Sequence, residues 1–161
     1  MNRNKLMELT PDKWGLLVYL SNSGMVDLDR VKTAMKEIAN TRLAFAQEIW
    51  DKAKQLKALD PTDGLIINRS YYCMYHAARA AVYVRLQLDV EKHQALIEKF
   101  EKLLIREFDD TTLSDTMDDL RMNRNECDYN PLVTATVELC NNAIQDAEII
   151  LNTCKNLVEG F

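Results

Sequence analysis

Arg121 and Arg124 stand three residues apart, and Arg124 opens the run Arg124-Asn125-Glu126-Cys127-Asp128-Tyr129. Arg121, Arg124 and Asp128 fall at i, i+3 and i+7, which places them on one face of any helix that runs that far. Planar guanidinium forks match phosphate oxygens, so Arg121, Arg124, Asn125, Asp128 and Tyr129 form a candidate site for a nucleotide, an RNA or a charged partner surface. Leu113, Met117, Leu120 and Arg124 also share a stripe, turning Arg124 toward an interior or an interface. A structural reading competes with the functional one. Arg124 would then lock two helices through a carboxylate or carbonyl, because buried charges persist mainly when paired. Asp128 and Tyr129 would simply end the helix and bond locally.

A second set lies earlier in the chain. Tyr72, His76, Arg79 and Tyr83 make a polar stripe on a helix whose neighbouring stripe, Tyr71, Tyr75, Ala78 and Val82, faces inward. A lone histidine among aromatic and small residues is ordinarily a satisfied core or interface group. His76 gains an acid–base role only if it approaches the Arg124 face, and His93, near a helix start, carries the same structural reading. The tyrosines Tyr71, Tyr72, Tyr75 and Tyr83 read as core and dimer packing rather than a base-stacking platform, since no basic residues interleave them. No ExxH pair, P-loop, HExxH or glycine-rich cradle occurs, so the sequence implies neither a metal nor a cofactor. The four cysteines, Cys73, Cys127, Cys140 and Cys154, form no CxxC or Cys/His cluster and read as reduced, buried thiols.

These residues need helices to position them. The chain has 161 residues, 47% of them apolar and 28% charged, a balance suited to one folded domain. Glycine and proline together number seven, and neither occurs from Leu65 to Asn130. Long helices with short turns follow; a sandwich or an α/β fold would scatter turn residues far more often. Residues 11–20 suit a short helix closed by Ser21-Asn22-Ser23-Gly24. From Asp27, the stripe Leu28, Val31, Met35, Ile38, Arg42, Phe45, Ile49, Ala53 and Leu56 predicts one long helix, or two with a break near Asn40-Thr41. Asp60-Pro61-Thr62-Asp63-Gly64 is the clearest turn. It leads into a helix from about Leu65 to Leu88. Asp89 then reads as the N-cap of a helix through Phe108 that buries Leu96, Phe100, Leu103 and Leu104. Thr112-x-x-Asp115 predicts a capping box for a helix to about Glu126, and Asn130-Pro131 an N-cap followed by proline at the first helical position. The last helix buries Cys140, Ile144, Ala147, Leu151, Cys154 and Val158.

Two segments carry a family likeness: Asn68-Arg69-Ser70-Tyr71-Tyr72-Cys73-Met74-Tyr75-His76-Ala77-Ala78-Arg79-Ala80, with Lys92-His93 after it, and Arg124-Asn125-Glu126-Cys127-Asp128-Tyr129. In order and separation, over about residues 40–158, they resemble small prokaryotic proteins of the HEPN family. The resemblance implies an all-α, up-and-down bundle of four to five helices, here with an N-terminal helical extension. The extension is placed at residues 1–40 and the bundle at 41–161, within one structural domain. The resemblance further implies a homodimer, and a minimal nucleotidyltransferase as partner in a toxin–antitoxin-like two-component system. Many family members are metal-independent ribonucleases marked by an arginine and, after four to six intervening residues, a histidine. This chain departs from that signature. The corresponding positions after Arg121 are Glu126, Cys127 and Asp128; four residues intervene between Arg124 and Tyr129, and no histidine follows His93. An imidazole moves protons near neutral pH far better than an unperturbed phenol.

Three functions remain in play. The leading one is a nucleotide-, RNA- or partner-binding module acting through the Arg121/Arg124 region. The second is an endoribonuclease using Arg124 with Asp128, Tyr129 or a histidine brought from elsewhere. The third is an interaction protein whose arginines only hold the bundle together. A net charge of −5 disfavours broad, sequence-blind nucleic-acid binding, so any cationic face must be local. With no signal-like segment and no apolar run near membrane-spanning length, a cytoplasmic location and no membrane contact are expected.

Overall fold

A computed structural model describes residues 11–130 and 132–161, and among them the chain is all-α. Six helices follow in order: α1 (Pro11–Asn22), α2 (Leu28–Leu59), α3 (Leu65–Leu86), α4 (His93–Phe108), α5 (Thr112–Tyr129) and α6 (Val137–Glu159). The first closes where expected, with the Gly24 N–H bonded to Ser21 and glycine taking φ 75°. That left-handed backbone is open to glycine at little cost. Asp27 caps α2 through its carboxylate, which accepts from the N–H groups of Asp29 and Arg30. The helix then passes Asn40-Thr41 unbroken, so one helix stands where one or two were open. The Thr41 hydroxyl donates to the Glu37 carbonyl within the same helix, satisfying it without a break.

The inward face of α2 is Val31, Met35, Ile38, Ala39, Leu43, Ala46, Ile49 and Ala53. Phe45 is not part of it: the ring is 46% exposed, and Leu43 and Ala46 fill the interior on either side. The Asp60–Gly64 turn is fixed by its own acids, Asp60 accepting from Thr62 and Asp63 capping Leu65. Helix α3 is the axis of the molecule, packed by α2, α4, α5 and α6. Tyr71, Tyr75, Ala78 and Val82 are buried as expected, but so is Tyr83, which leaves the polar stripe. The Arg42 guanidinium covers its ring at 4.8 Å, so a cation from α2 replaces solvent there. The helix ends at Leu86, and Gln87 turns into the left-handed region at φ 55°.

Three N-caps are corrected. Asp89 does not cap α4, which begins four residues later behind Lys92; the carboxylate is taken by two arginines described below. Thr112 is the first residue of α5 rather than its cap, and Asp115 accepts from the Thr111 hydroxyl instead of closing a box on Thr112. That helix also runs on to Tyr129. Asn130 follows the end of α5, and its side chain accepts from Leu132. The cap of α6 is Thr136, whose hydroxyl accepts from Leu139; Pro131 lies outside the described residues.

The buried faces of α4 and α6 match the periodicity at every residue anticipated. The Trp50 indole donates across to the Ile144 carbonyl, joining α2 to α6 at 3.1 Å. Cys73, Cys140 and Cys154 are buried and Cys127 is half-buried, all unpaired. Burial pushes the Cys73 thiol up to about 12. Among the described residues, no helix is long and apolar enough to cross a membrane.

Candidate functional site

Because α5 continues to Tyr129, Arg121, Arg124 and Asp128 do share one face of it. Met117 and Leu120, one and two turns earlier on the same stripe, anchor that face in the core, which lays the Arg124 side chain against α3, 16% exposed. Its Nε is 2.7 Å from Asp128 Oδ2, an ion pair without hydrogen-bond geometry. One terminal nitrogen donates to Asn125 Oδ1 at 2.9 Å, and the other lies 3.5 Å from the Tyr72 hydroxyl. The guanidinium sits between two aromatic faces, 5.5 Å from the ring of Tyr72 and 5.7 Å from that of Tyr129. Asn68, at the start of α3, donates to the same Asp128 oxygen at 2.9 Å. Arg121 has one carboxylate neighbour, Asp118, on its own helix. Among the described residues, neither arginine is held by a carboxylate from another helix.

Helix α3 supplies the facing wall. Residues 68, 72, 75/76 and 79 follow helical spacing, so Asn68, Tyr72, His76 and Arg79 line up beside α5 and the segment that follows α3. Tyr72 stands edge-on to Tyr71 and Tyr75, and its ring centroid is 6.0 Å from that of His93 on α4. The histidine brought toward the arginines is therefore His93. Burial lowers its basicity, and the charges of Arg124 and Arg121 lower it further. Its Nδ1 is 2.6 Å from the buried Tyr71 hydroxyl. Burial raises the Tyr71 phenol well beyond its ordinary range, so it keeps its proton. The arrangement that uses this O–H sends it to Nδ1 and leaves the ring proton on Nε2.

His76 lies further along the wall. Its ring meets Phe45 edge-on at 4.8 Å and Tyr75 at 5.1 Å. Burial, then the charges of Arg79, Arg42 and His93, hold its pKa down to about 4. It is a neutral, aromatic-packed imidazole, set apart from Arg124 by Tyr72.

Arg79 does not reach the arginine face. It binds Asp89 Oδ1 at 2.8 Å and Glu91 at 3.0 Å, while Arg42 of α2 takes the other Asp89 oxygen at 2.8 Å. The Asp89 side chain is 9% exposed between them. Tyr75 adds a hydroxyl bond to the Glu91 carbonyl at 2.7 Å. Four contacts thus fasten residues 89–91, two positions ahead of His93, and the fastened segment delivers the imidazole to Tyr71.

The sequence pointed to Arg121, Arg124, Asn125, Asp128 and Tyr129 on α5, and to Tyr72 and His93 opposite; the fold brings these together. His76 and Arg79 lie outside the arginine pocket. Asn68 and Tyr71 were missed as site residues, although Asn68 stands one helical turn before Tyr72. Asp89 and Glu91 were missed too, and no local pattern marks them, since their partners lie in other elements. The sequence model of the HEPN domain matches residues 39–157. No curated protein matches the chain.

Proposed function

The chain belongs to the HEPN domain family, a nucleotide- and RNA-related helical module, and from that premise we propose that it binds the phosphate of a nucleotide or RNA through Arg124 and Arg121. The observation that carries this is the state of Arg124. Among the described residues its charge is balanced only within its own helix, it lies near the faces of Tyr72 and Tyr129, and its charge, with that of Arg121, acts on the His93 imidazole. A phosphate would gain two guanidinium forks and an imidazole N–H, and a base would gain the exposed Tyr129 ring to stack on. The family likeness extends the proposal to a homodimer working with a minimal nucleotidyltransferase in a toxin–antitoxin-like pair. The test is fluorescence anisotropy with labelled ATP and a labelled single-stranded RNA. Arg124→Ala should weaken binding at least about tenfold, the effect of losing a charged hydrogen-bonding fork. Equal binding by the variant would remove the site from Arg124.

A second reading is favoured by one contact, that of His93 with Tyr71. In a metal-independent ribonuclease the RNA 2′-oxygen gives up its proton and attacks phosphorus. The P–O5′ bond breaks, the 5′-oxygen takes a proton, and a 2′,3′-cyclic phosphate and a 5′-hydroxyl result. The imidazolium form of His93 would give its Nε2 proton to the leaving oxygen, water would take the 2′ proton, and Arg124 would sit on the phosphoryl group. Incubation of mixed RNA with the protein in EDTA separates the readings. Cleavage lost in both His93→Gln and Arg124→Ala supports the nuclease, and intact RNA supports the binding module.

A further inference from the structure

Two rings outside the arginine pocket stand next to it along α3. Asn68 meets Asp128 and Tyr72 meets Arg124, so α5 runs antiparallel to α3. Tyr129 therefore lies toward the Asn68 end. His76 lies in the other direction, one helical turn past Tyr72 and about 6 Å along the axis. The Tyr72 and His76 ring centroids are 6.5 Å apart, with their planes at 30°. Phe45 comes across from α2 to meet His76 edge-on at 4.8 Å, and it is 46% exposed. His76 itself is half-buried, and among the described residues no group hydrogen-bonds to either ring nitrogen. The charges at this end are matched. The arginines whose charge reaches His76, Arg79 and Arg42, are both held by Asp89, and Arg79 also by Glu91. Glu48, on the next turn of α2, is exposed. A phosphate would meet no unpaired cation beside His76 among the described residues and would be repelled by Glu48; an uncharged base would not.

We propose that Phe45 and His76 form a second base-binding subsite, which takes the nucleotide next to the phosphate on Arg124. The subsite rests on the phosphate reading of Arg124, and it fits a single strand of RNA better than a free nucleotide. A free nucleotide has one base, which can stack on Tyr129 or on Phe45. A strand passing Arg124 can place one base on each, since the two exposed rings lie to either side of it along α3. Aromatic stacking accepts every base, because each has a π-face, whereas bases inside a duplex already stack on one another. The neutral imidazole of His76 adds one N–H and one lone pair, free to bond the edge of a base lying on Phe45.

The experiment is fluorescence anisotropy of the full chain with two labelled RNA tetramers, tetra-adenylate and an abasic strand with the same ribose–phosphate backbone. Phe45→Ala should weaken tetra-adenylate binding about tenfold, the effect of losing one stacked base, and leave the abasic strand within about twofold. Phe45→Trp should restore tetra-adenylate binding, because indole supplies another stacking face. Unchanged circular dichroism would verify that each variant folds, and a damaged fold would weaken both strands alike. Equal tetra-adenylate binding by Phe45→Ala, equal loss on both strands, or no recovery in Phe45→Trp would overturn the subsite. Arg124→Ala separates this outcome from failure of the phosphate site. If it weakens both strands while Phe45→Ala weakens neither, the subsite alone falls. If it binds both strands as the wild type does, or if the wild type binds neither, the phosphate site falls and the subsite with it.

Discussion

Arg124 bears two readings that differ in what its loss does to the fold. Its ion pair is one turn away on the same helix, and its cross-helix contacts are a 3.5 Å approach to a hydroxyl and a ring face. Same-helix pairs contribute only a few tenths of a kcal/mol, so Arg124→Ala should cost about 1 kcal/mol or less in thermal unfolding. A loss of several kcal/mol would mean that the arginine is there to hold the bundle. His76 makes a different demand. Its folded pKa of about 4 lies below the ordinary 6.5, so between these values the unfolded chain binds the extra proton. Its contribution to stability is complete above pH 6.5 and lost as the pH falls toward 4. His76→Phe should flatten that part of the stability–pH curve, as followed by urea unfolding at a series of pH values. The α5 face was legible in the sequence because i, i+3 and i+7 spacing survives whatever else the chain does. The approach of His93 was not, because it depends on the path of six non-helical residues.

Those six residues show how an element boundary can hide from local rules. Asp89 has the chemistry of an N-cap and stands at a helix-like start, yet Arg42 and Arg79 compete for its carboxylate and hold it in the interior. A paired charge in that position outweighs a cap. Asp89→Ala should cost about 3–5 kcal/mol, because two largely buried guanidinium groups lose their counter-charge. The imidazole signals of His93 should shift in the same variant, since its anchor is gone; a small loss with unmoved signals would show that the clamp does not position it. The long amphipathic stripes of α2, α4 and α6 were readable because burial of one face enforces them, whereas the capping residues Thr111, Lys92 and Thr136 are chosen by where each neighbouring segment must go. Asp109 ends α4 in the left-handed region at φ 54° without glycine. Asp109→Gly should therefore stabilise the protein by about 1 kcal/mol, raising Tm by roughly 2–4 °C in calorimetry.

For the whole molecule, one packing relation organises the rest: α3 is enclosed by four helices, and fourteen of its residues are buried. Its site residues occupy the narrow sector that α5 and the 87–92 segment leave to polar groups. The bundle class was evident from the sparse glycine and proline, while which helix would be central was not, since α3 alternates aromatic, small and polar residues without a clean apolar stripe. Helix α2 runs on both sides of residue 39, where the family match begins, and Lys36 donates to the Glu159 carbonyl. The segment before the matched region is thus fastened to the end of the last helix. An enclosed axis also sets the clock for isotope replacement. Backbone amides from Met74 to Val82 can meet deuterated water only when the surrounding helices part together, so they should exchange at the rate of global opening. In a hydrogen–deuterium experiment these amides should be the slowest in the chain, and their protection should fall in step with the denaturant-measured stability of any variant. Faster exchange there than in α2 or α6 would mean that the molecule opens along a seam beside α3 rather than as a unit.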